Sequence, residues 1–403
     1  MSVTGPLVTI GIPSYQCADF IAEAISSALD QDYKDLEVLV VDDASTDGTL
    51  EVLAGFDDPR LRVIVNETNL GPGRNWNKVL DEAHGRYVKV MGCDDVLLPG
   101  SVSAQVAVLE AHPDVVLVTG ARVLVTEKGR RIMTRRNGGL KGRVSGVAAG
   151  REIVLHGSHV VGEPCATLMR VSAIHEAGQF DESNPYCIDM EMYLRLLEVG
   201  DLFVLDFPVA SYRIVQDSWS IAVVEDQFED VAALLREAAS RRPLGITDKE
   251  LETGLRHAKQ LAFGRQWVYR VLYDVELRRK VLYLFVGGWN TLFGYLAFSA
   301  LYFFLHNYLA DSLILVLSYI PSILNAYFGY KRVVFQTKTR FIEEFPRFSV
   351  VYVVALAVNV VAFPWLRNAL HLNPYISQGV FTVALVVCTY IINKRFSFKQ
   401  KAE

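Results

Sequence analysis

Two carboxylates in a row end the stretch Met91-Gly92-Cys93-Asp94-Asp95. An apolar run over residues 87–91 reads as a buried strand, which stops at Gly92. Neighbouring buried carboxylates repel each other and lose hydration, so a chain tolerates them where a cation or a ligand needs them. A hard divalent ion held by one or two carboxylates and by substrate phosphates suits such a pair. The alternative is a polar turn, with Asp94 capping the helix that starts near Pro99.

The 403-residue chain is long enough for two or three domains. Its apolar residues are unevenly distributed between the two halves. Up to about residue 243 the chain resembles a soluble α/β domain, whereas long apolar runs dominate from residue 281 onward. The net charge of −5 argues against nucleic acid as a partner. The N-terminus shows no signal-peptide pattern, so the first domain is expected in the reducing cytosol. Neither a zinc site nor a disulfide framework is predicted from the scattered cysteines, Cys17, Cys93, Cys165, Cys187 and Cys388.

Strands alternate with helices in the first hundred residues. Strands are predicted over residues 7–12, 37–41, 61–65 and 87–91, with helices between them. This alternation predicts a mostly parallel sheet, in which ligands bind at the carboxyl ends of the strands. Pro13-Ser14-Tyr15, Asp42-Asp43 and Asp94-Asp95 all fall at such ends. The coincidence favours a binding site over a simple helix cap at Asp94.

Four segments, taken together, resemble the family 2 glycosyltransferases. They are Ile12-Pro13-Ser14-Tyr15-Gln16, residues 41–49 (VDDASTDGT), residues 69–75 (NLGPGRN) and Cys93-Asp94-Asp95. The resemblance covers about residues 7–220. It implies an α/β GT-A fold with a Rossmann-like, mostly parallel sheet, a UDP- or GDP-sugar donor, a Mg²⁺ or Mn²⁺ ion, and inversion at the anomeric carbon.

The resemblance also implies roles for single residues at the donor. Pro13 and Tyr15 would wall the nucleotide base, and Asp43 would accept a hydrogen bond from it. Arg74 would reach a phosphate or the base with its planar guanidinium. Arg213 lies in a stretch that closes over the diphosphate in similar proteins, although a structural role is equally open. The alternatives are a turn carboxylate for Asp43 and a surface ion pair for Arg74.

The same resemblance places the metal ion. Asp94 would contact the ribose or the ion, and Asp95 would hold the ion that bridges the donor diphosphate. Two residues depart from the family pattern: Gln16 stands where Asn is usual, and Gly92 stands where many members have the first Asp of an Asp-X-Asp-Asp run. The ion is therefore expected to depend on Asp94, Asp95 and the donor phosphates.

Three further segments resemble the acceptor half of the same family. They are Gly162-Glu163-Pro164, residues 178–182 and residues 187–195. Asp189 matches the position of the catalytic base, which would deprotonate an acceptor hydroxyl. A phosphate acceptor is already ionised, and Asp189 would then orient the acceptor or the sugar. The alternative for Asp189 is the N-cap of a helix that runs to residue 198.

Glycine and basic residues are concentrated over residues 138–150, which are predicted to form a mobile loop near the acceptor. Basic side chains in this segment and just before it are expected either to attract phosphate or a membrane surface, or to belong to a solvated basic loop. These side chains are Arg135, Arg136, Lys141 and Arg143.

Three parts are predicted along the chain: a GT-A domain over 1–222, a helical connector over 223–280 and a membrane domain over 281–403. The connector mixes basic and aromatic residues, and this favours either the membrane interface or packing on the first domain. Four apolar spans, near 281–305, 312–330, 348–366 and 376–393, each suit crossing ~30 Å of hydrocarbon. The flanking basic residues predict cytosolic termini and a cytosolic middle loop.

The membrane half repeats internally, since residues 327–335 (YFGYKRVVF) align with residues 390–398 (YIINKRFSF). With residues 285–291 it resembles the GtrA family of four-helix membrane domains, and this implies polyprenyl-phosphate sugars. Two basic pairs, Lys331-Arg332 and Lys394-Arg395, would grip a lipid phosphate or anchor the interface. Hydrogen bonds between helices are expected from Asn290, Asn325 and Asn359.

These features predict a multi-pass inner-membrane glycosyltransferase. It would move a sugar to polyprenyl (undecaprenyl) phosphate for cell-surface polysaccharide synthesis, with the bilayer as its setting. One alternative is a hydroxyl acceptor on a lipid-linked glycan, with Asp189 as general base. Another is a lipid-linked sugar flippase or scaffold with an idle transferase domain. The sugar, the nucleotide and the oligomeric state, including a homo-oligomer, stay open.

Overall fold

A computed structural model describes residues 7–215, 227–241, 244–335, 341–369 and 373–377. The chain divides into two compact units, Met1–Gln266 and Trp267–Glu403. The predicted three-part division, with boundaries after residues 222 and 280, stays a prediction.

A mixed sheet organises the first unit, in the order β3-β2-β1-β4-β9-β6-β10-β5, with β7 paired to β6 and β8 paired to β10. The strands are β1 Val8–Ser14, β2 Leu36–Asp42, β3 Leu61–Val65, β4 Tyr87–Val90, β5 Val96–Leu97, β6 Val115–Thr126, β7 Arg131–Arg135, β8 Gly142–Val144, β9 Leu168–Arg170 and β10 Asp201–Ile214. The four strands predicted from the sequence are β1 to β4, and their mutual pairings are all parallel. The predicted α/β fold with a Rossmann-like, mostly parallel sheet is confirmed, and antiparallel pairings of the later strands make the sheet mixed.

Helices connect these strands and cover the two faces of the sheet. In chain order they are α1 Ile21–Leu29, α2 Thr49–Ala54, α3 Pro72–Glu82, α4 Ser101–Ala111, α5 Gly146–His156, α6 Val171–Ala177, α7 Ile188–Val199, α8 Gln227–Ser240 and α9 Asp248–Tyr273. Because α1, α2 and α3 each join two parallel strands, β1, β2 and β4 end at the same edge of the sheet.

Strand β2 shows why the central strands read as unbroken apolar runs. Val38 and Val40 face one hydrophobic core, which includes residues of α1, whereas Leu39 and Val41 face a second core with Val79 of α3. Successive strand residues point to opposite faces, so a strand covered on both sides is apolar at every position. The close approach of α3 also needs Gly11, because a Cβ there would lie 2.1 Å from Val79 Cγ1.

The prediction of a mobile loop over residues 138–150 is wrong. Strand β8 pairs antiparallel with β10, and Arg143 on it forms ion pairs with Asp114 and Asp201. Ser145 then caps α5 by accepting a hydrogen bond from the Ala148 N–H at 3.3 Å. The glycine and basic composition therefore belongs to turns and paired side chains around regular elements.

Helix α9 packs on the first unit over its first half. A Cβ at Gly254 would lie 2.0 Å from the Val154 carbonyl oxygen, so α9 and the end of α5 meet backbone to backbone. The His257 ring nitrogen Nδ1 donates to the Leu155 carbonyl at 2.9 Å, and Ala258 is buried. For this part of the connector the contacts support packing on the first domain.

Within the predicted helical connector two helices meet at Asp274. The Asp274 carboxylate accepts hydrogen bonds from the N–H groups of Glu276 at 2.9 Å and Leu277 at 3.0 Å. An aspartate that satisfies these free N–H groups starts a new helix. The second helix is α10 Val275–Leu305.

Long apolar helices make up the second unit: α10, α11 Asp311–Gly329, a π-helical turn at Tyr330–Phe335, and α12 Phe341–Ala369. Two segments within the described residues are long and apolar enough to cross a membrane, Glu276–Leu305 and Asp311–Val334. The first three predicted spans fall within α10, α11 with its π-helical turn, and α12. Nearly all of the fourth, 376–393, lies outside the described residues.

Asparagines join the helices of this unit, as predicted. Asn325 of α11 donates through Nδ2 to Asn290 Oδ1 of α10 at 2.8 Å. Asn359 of α12 donates to the Tyr319 hydroxyl of α11 at 3.1 Å. Amide side chains between apolar helices favour such bonds because lipid offers no alternative partner.

Two glycines of α9 provide a matched test of its packing. Gly254→Ala places a methyl group against the Val154 carbonyl and is expected to lower the free energy of unfolding by about 1–3 kcal/mol. Gly264→Ala meets no atom within 4 Å and is expected to be neutral or to stabilise by up to about 1 kcal/mol through helix propensity. Thermal unfolding of the detergent-solubilised chain measures both, and equal effects would contradict this packing.

Candidate active site

Gly92 brings the two carboxylates of the opening stretch together. The turn closes through a hydrogen bond from the Asp95 N–H to the Gly92 carbonyl at 3.2 Å. A Cβ at Gly92 would lie 2.8 Å from Asp94 Oδ1 and 3.1 Å from Asp95 Oδ2. Both carboxylates therefore converge on the space over Gly92, which a side chain would fill. This gives the departure from the Asp-X-Asp-Asp pattern a physical reason.

The electrostatics of the pair fit a cation. Burial, together with the Asp94 charge, raises the pKa of Asp95 well above its usual range, and burial also raises the pKa of Asp94. A divalent ion between them would stabilise both ionised forms. No cluster of three or more His, Cys, Asp or Glu residues suited to a metal occurs in the described ranges. An ion here would take its other ligands from water or from bound phosphates.

Arg213 of β10 holds this turn in place. Its backbone N–H donates to Asp95 Oδ1 at 3.0 Å, and its Nε donates to the Asp94 carbonyl at 2.8 Å. The rest of the guanidinium donates to the Glu127 carbonyl at 2.8 Å and to the Glu23 carboxylate at 2.6 Å. These contacts support the structural role for Arg213, and its contact with a diphosphate stays a prediction.

A disulfide links the turn to the loop after β1, contrary to the expectation that the cysteines form no disulfide framework. Cys17 and Cys93 are bonded, with Cα atoms 6.4 Å apart, although 76 positions separate them in sequence. They meet because β1 and β4 are adjacent parallel strands that end at the same edge. Of the other cysteines, Cys165 and Cys187 are free and buried, and Cys388 lies outside the described residues.

Gln16 replaces the usual Asn and still fastens two loops of the site. Its side-chain oxygen accepts hydrogen bonds from the N–H groups of Thr46 and Asp47, both at 2.9 Å. Its side-chain nitrogen donates to Thr46 Oγ1 at 3.0 Å. The residue has a left-handed φ of 50°, a conformation in which Asn is enriched. The loops after β1 and β2 are thus held together by one amide.

The predicted base-binding residues lie along this edge. Pro13 is half-buried near the end of β1, and the Tyr15 side chain is exposed beyond it. Asp43 is buried, and its carboxylate accepts hydrogen bonds from Asn66 Nδ2 and from the N–H groups of Leu70 and Gly71, at 2.8 to 2.9 Å. The contacts of Asp43 support the alternative of a turn carboxylate, and base recognition stays a prediction.

Arg74 and Asp189 are the two predicted site residues that lie on helices. Arg74, near the start of α3, forms an exposed ion pair with Glu182 at 3.2 Å, as in its structural alternative. Asp189 is buried in the first turn of α7, where Cys187 occupies the N-cap position, so Asp189 is not the N-cap. Its Oδ2 lies 3.4 Å from His159 Nδ1. Burial raises the pKa of Asp189 against the opposing effect of His159.

Sequence reasoning missed a cluster of charged side chains near both Asp95 and Asp189. Fully buried Arg122 ion-pairs with Glu163 and donates to the His159 carbonyl at 3.0 Å, while Arg135 bonds the same Glu163 carboxylate at 3.1 Å. Burial opposes ionisation, but the two guanidinium groups lower the pKa of Glu163 to about 2.

The charge of Glu163 raises the pKa of both Asp95 and Asp189. The structure therefore brings Asp95 and Asp189, which the sequence predicts for the donor and the acceptor sides, into one neighbourhood. Glu163 lies in a segment that the sequence had singled out, whereas nothing in the sequence distinguished Arg122 or His159.

Family models match both parts of the chain. Residues 9–177 match Glycosyl transferase family 2, and residues 282–398 match the GtrA/DPMS transmembrane domain. The chain carries a family 2 glycosyltransferase domain followed by a GtrA/DPMS transmembrane domain. Both resemblances predicted from the sequence are confirmed.

Curated relatives match part of the glycosyltransferase half. An uncharacterized protein of Mycobacterium tuberculosis is 31% identical over 200 residues, which cover 48% of this chain and 62% of the relative. The putative teichuronic acid biosynthesis glycosyltransferase TuaG of Bacillus subtilis is 41% identical over 92 residues, covering 22% of this chain and 36% of TuaG. The chain thus spans less than two thirds of the length of either relative.

A solved structure shares the fold. TarS 1-349 of S. aureus, in complex with UDP-GlcNAc, superposes with a TM-score of 0.51 at 18% identity, covering 81% of this chain and 90% of TarS 1-349. This likeness supports the GT-A fold of the glycosyltransferase domain.

Both basic pairs predicted to grip a lipid phosphate fall within the GtrA/DPMS match, and the structure describes one of them. Lys331 donates to the Tyr327 hydroxyl at 3.0 Å, and Arg332 lies over the Phe328 ring at 5.5 Å. The second pair, Lys394 and Arg395, lies outside the described residues. The lipid-phosphate role of these residues stays a prediction.

The buried ion pair of Glu163 predicts a pH-dependent stability difference. Glu163→Gln leaves Arg122 buried without its carboxylate and is expected to cost about 3–5 kcal/mol of unfolding free energy at pH 7. Because the pKa of Glu163 falls from 4.5 to about 2 on folding, its contribution is present above about pH 4.5. The difference from wild type should therefore narrow as the pH falls from 4.5 towards 2.

Urea unfolding of the detergent-solubilised chain, followed by circular dichroism, measures this difference. The control is Asp206→Asn in the exposed pair with Arg136, where the change should stay within about 1 kcal/mol. If the difference in unfolding free energy between wild type and Glu163→Gln did not change with pH, the lowered pKa of Glu163 would be contradicted.

Proposed function

We propose that the chain is a membrane glycosyltransferase that moves a sugar, with inversion, from a nucleotide-sugar to polyprenyl phosphate. The observation that carries the proposal is the convergence of Asp94 and Asp95 over Gly92, at the carboxyl end of a parallel strand. Ligand sites in such sheets lie at these ends. The GtrA/DPMS match supports an acceptor carried in the bilayer.

The donor would lie across the edge formed by the ends of β1, β2 and β4. Pro13 and Tyr15 would bound the base, with Asp43 fixing the loop beside it or bonding the base directly. Arg74 is exposed at the same side and would meet a phosphate on leaving Glu182. TarS was solved with UDP-GlcNAc, and a UDP- or GDP-sugar is proposed here.

The metal proposed is Mg²⁺ or Mn²⁺, held by Asp95 and Asp94. When bound, it would neutralise charge on the leaving nucleoside diphosphate. The chain's own contribution is to hold the turn that carries the two carboxylates. Arg213 does this by bonding the Asp95 carboxylate and the Asp94 backbone carbonyl.

The transfer itself would be an in-line displacement. An ionised phosphate oxygen of the acceptor would form a bond to the sugar C1 as the bond from C1 to the diphosphate oxygen breaks. No proton needs removal from such an acceptor. Asp189, held near His159, would then orient the acceptor or the sugar. The catalytic domain and both termini are proposed to face the cytosol.

A specific observation favours a second acceptor, a hydroxyl of a lipid-linked glycan. Asp189 is buried, its pKa is raised, and His159 stands beside it. A buried carboxylate of this kind suits a general base that takes the hydroxyl proton. The relative TuaG is named for teichuronic acid biosynthesis, and this also supports a glycan as the acceptor.

The deciding experiment incubates membranes that contain the chain with a panel of labelled nucleotide-sugars and undecaprenyl phosphate. A lipid product that is labile to mild acid would support the phosphate acceptor. A product formed only with added lipid-linked glycan, in which the labelled sugar stays joined to the glycan after mild acid, would support the hydroxyl acceptor. Lack of nucleoside diphosphate release with either acceptor would favour a flippase or scaffold.

Asp95→Asn tests the metal assignment with little change of shape. The variant should still insert and bind the Arg213 N–H, while kcat/KM for transfer falls about 10²–10³-fold because one charge at the leaving group is lost. Asp206→Asn on the surface is the control and should retain activity. Retained turnover in Asp95→Asn would overturn the assignment.

Asp189→Asn separates the two acceptors. If Asp189 is a general base, the variant should lose about 10²–10⁴-fold in kcat. Since burial raises the pKa of Asp189, the wild-type rate should fall on the acid side at a pH above the usual carboxyl range, and the variant should lack that fall. With a phosphate acceptor we expect less than about a tenfold loss and no change in the pH profile.

A further inference from the structure

The hairpin that joins β6 to β7 projects an exposed tip from the glycosyltransferase domain. We call residues 126–133 the basic hairpin tip. The Thr126 N–H donates to the Arg130 carbonyl at 2.9 Å, and the Gly129 N–H donates to the Thr126 carbonyl at 2.8 Å. Gly129 has a φ of +73°, which glycine adopts without strain. The tip is therefore an ordered turn.

The surface of this tip combines unpaired cations with apolar side chains. Lys128, Arg130 and Arg131 are exposed, as is one carboxylate, Glu127, and no carboxylate of the described residues forms an ion pair with the three cations. Ile132 and Met133 are 52% and 54% exposed. By contrast, the basic side chains that follow are paired: Arg135 with Glu163, Arg136 with Asp206, and Arg143 with Asp114 and Asp201.

The arrangement of the exposed side chains favours a lipid surface over a protein surface as the partner of the tip. Among the described strands, β7 pairs with β6 alone, so its outer backbone edge is open. Ile132 and Met133 are consecutive strand residues and point to opposite faces. One apolar side chain on each face suits a soft medium that surrounds the tip better than a flat protein surface. Three cations beside them match anionic headgroups, which attract lysine and arginine near a bilayer.

We propose that the basic hairpin tip docks on an anionic lipid surface. Cations would lie among the headgroups, and Ile132 and Met133 would enter the boundary of the acyl region. The matched GtrA/DPMS transmembrane domain keeps a bilayer available to the glycosyltransferase domain. The docking follows from charge and exposure at the tip and does not depend on the reaction.

The tip is bonded to the carboxylate pair through one side chain. Arg213 donates from Nη1 to the Glu127 carbonyl in the tip and from Nε to the Asp94 carbonyl, both at 2.8 Å. A docked tip would therefore hold the site beside the headgroups. The last step rests on the proposed function: docking would place Asp94 and Asp95 near the level of a lipid-borne acceptor phosphate.

Hydrogen exchange of the full chain in nanodiscs tests the docking. Nanodiscs of phosphatidylcholine alone are compared with nanodiscs that contain phosphatidylglycerol. The exposed amides of residues 127–135 should exchange at least about tenfold more slowly with the anionic lipid, and high salt should remove the difference. The opposite sheet edge, β3, is the internal control, since Val63 and Val65 are also exposed. Its exchange should be equal in both lipids.

Matched variants separate charge from insertion. Arg130→Glu with Arg131→Glu should abolish the lipid-dependent protection, whereas Lys34→Glu with Arg236→Glu, an equal change of charge elsewhere, should retain it. Ile132→Ser with Met133→Ser should keep part of the protection at low salt, because electrostatic attraction remains, and should lose it at a lower salt concentration than the wild type does. Unchanged exchange in β1 and β4 reports that each variant is folded.

Two results would overturn the proposal. Equal exchange of the tip in both lipids and in detergent would show a solvated hairpin. Protection that persists without anionic lipid and at high salt would show a protein neighbour. Neither readout uses turnover, so failure of the docking and failure of the proposed reaction are distinguishable.

Discussion

The repulsion between two buried carboxylates is the constraint on which the glycosyltransferase domain depends. Asp94 and Asp95 stay together because Gly92 leaves them space and Arg213 bonds the Asp95 carboxylate and the Asp94 backbone carbonyl. The neighbouring cluster adds the negative charge of Glu163, which two guanidinium groups neutralise. The site thus concentrates acidic groups and balances them with buried arginines on one side, while the other side is left for a cation and a ligand.

Sequence patterns predicted the regular parts of the domain because burial imposes period and length. The first four strands, the helix of Asp189 and the strand-end carboxylates all follow from apolar runs and the residues that end them. The same reasoning failed for residues 138–150, since glycine and arginine there mark turns and ion pairs of regular elements. It also missed Arg122, because a charged residue within a strand predicts a solvent-facing position unless its buried partner is known.

Contacts between distant parts of the chain were the least predictable features. The bond between Cys17 and Cys93 depends on the adjacency of β1 and β4, which composition does not reveal. In the membrane unit, by contrast, one contact between distant residues was predictable. Asparagines in apolar spans have few partners other than each other, so the link between Asn290 and Asn325 was predictable from the medium alone.

The loop contacts of Gln16 and Asp43 have a thermodynamic consequence for the donor side. One amide joins the loops after β1 and β2, and one carboxylate fixes residues 70–71, before any nucleotide arrives. Ordering a loop on binding costs conformational entropy, which subtracts from affinity. A preorganised pocket edge avoids that cost, so the binding free energy of the proposed donor would remain available for positioning the sugar rather than for ordering these loops.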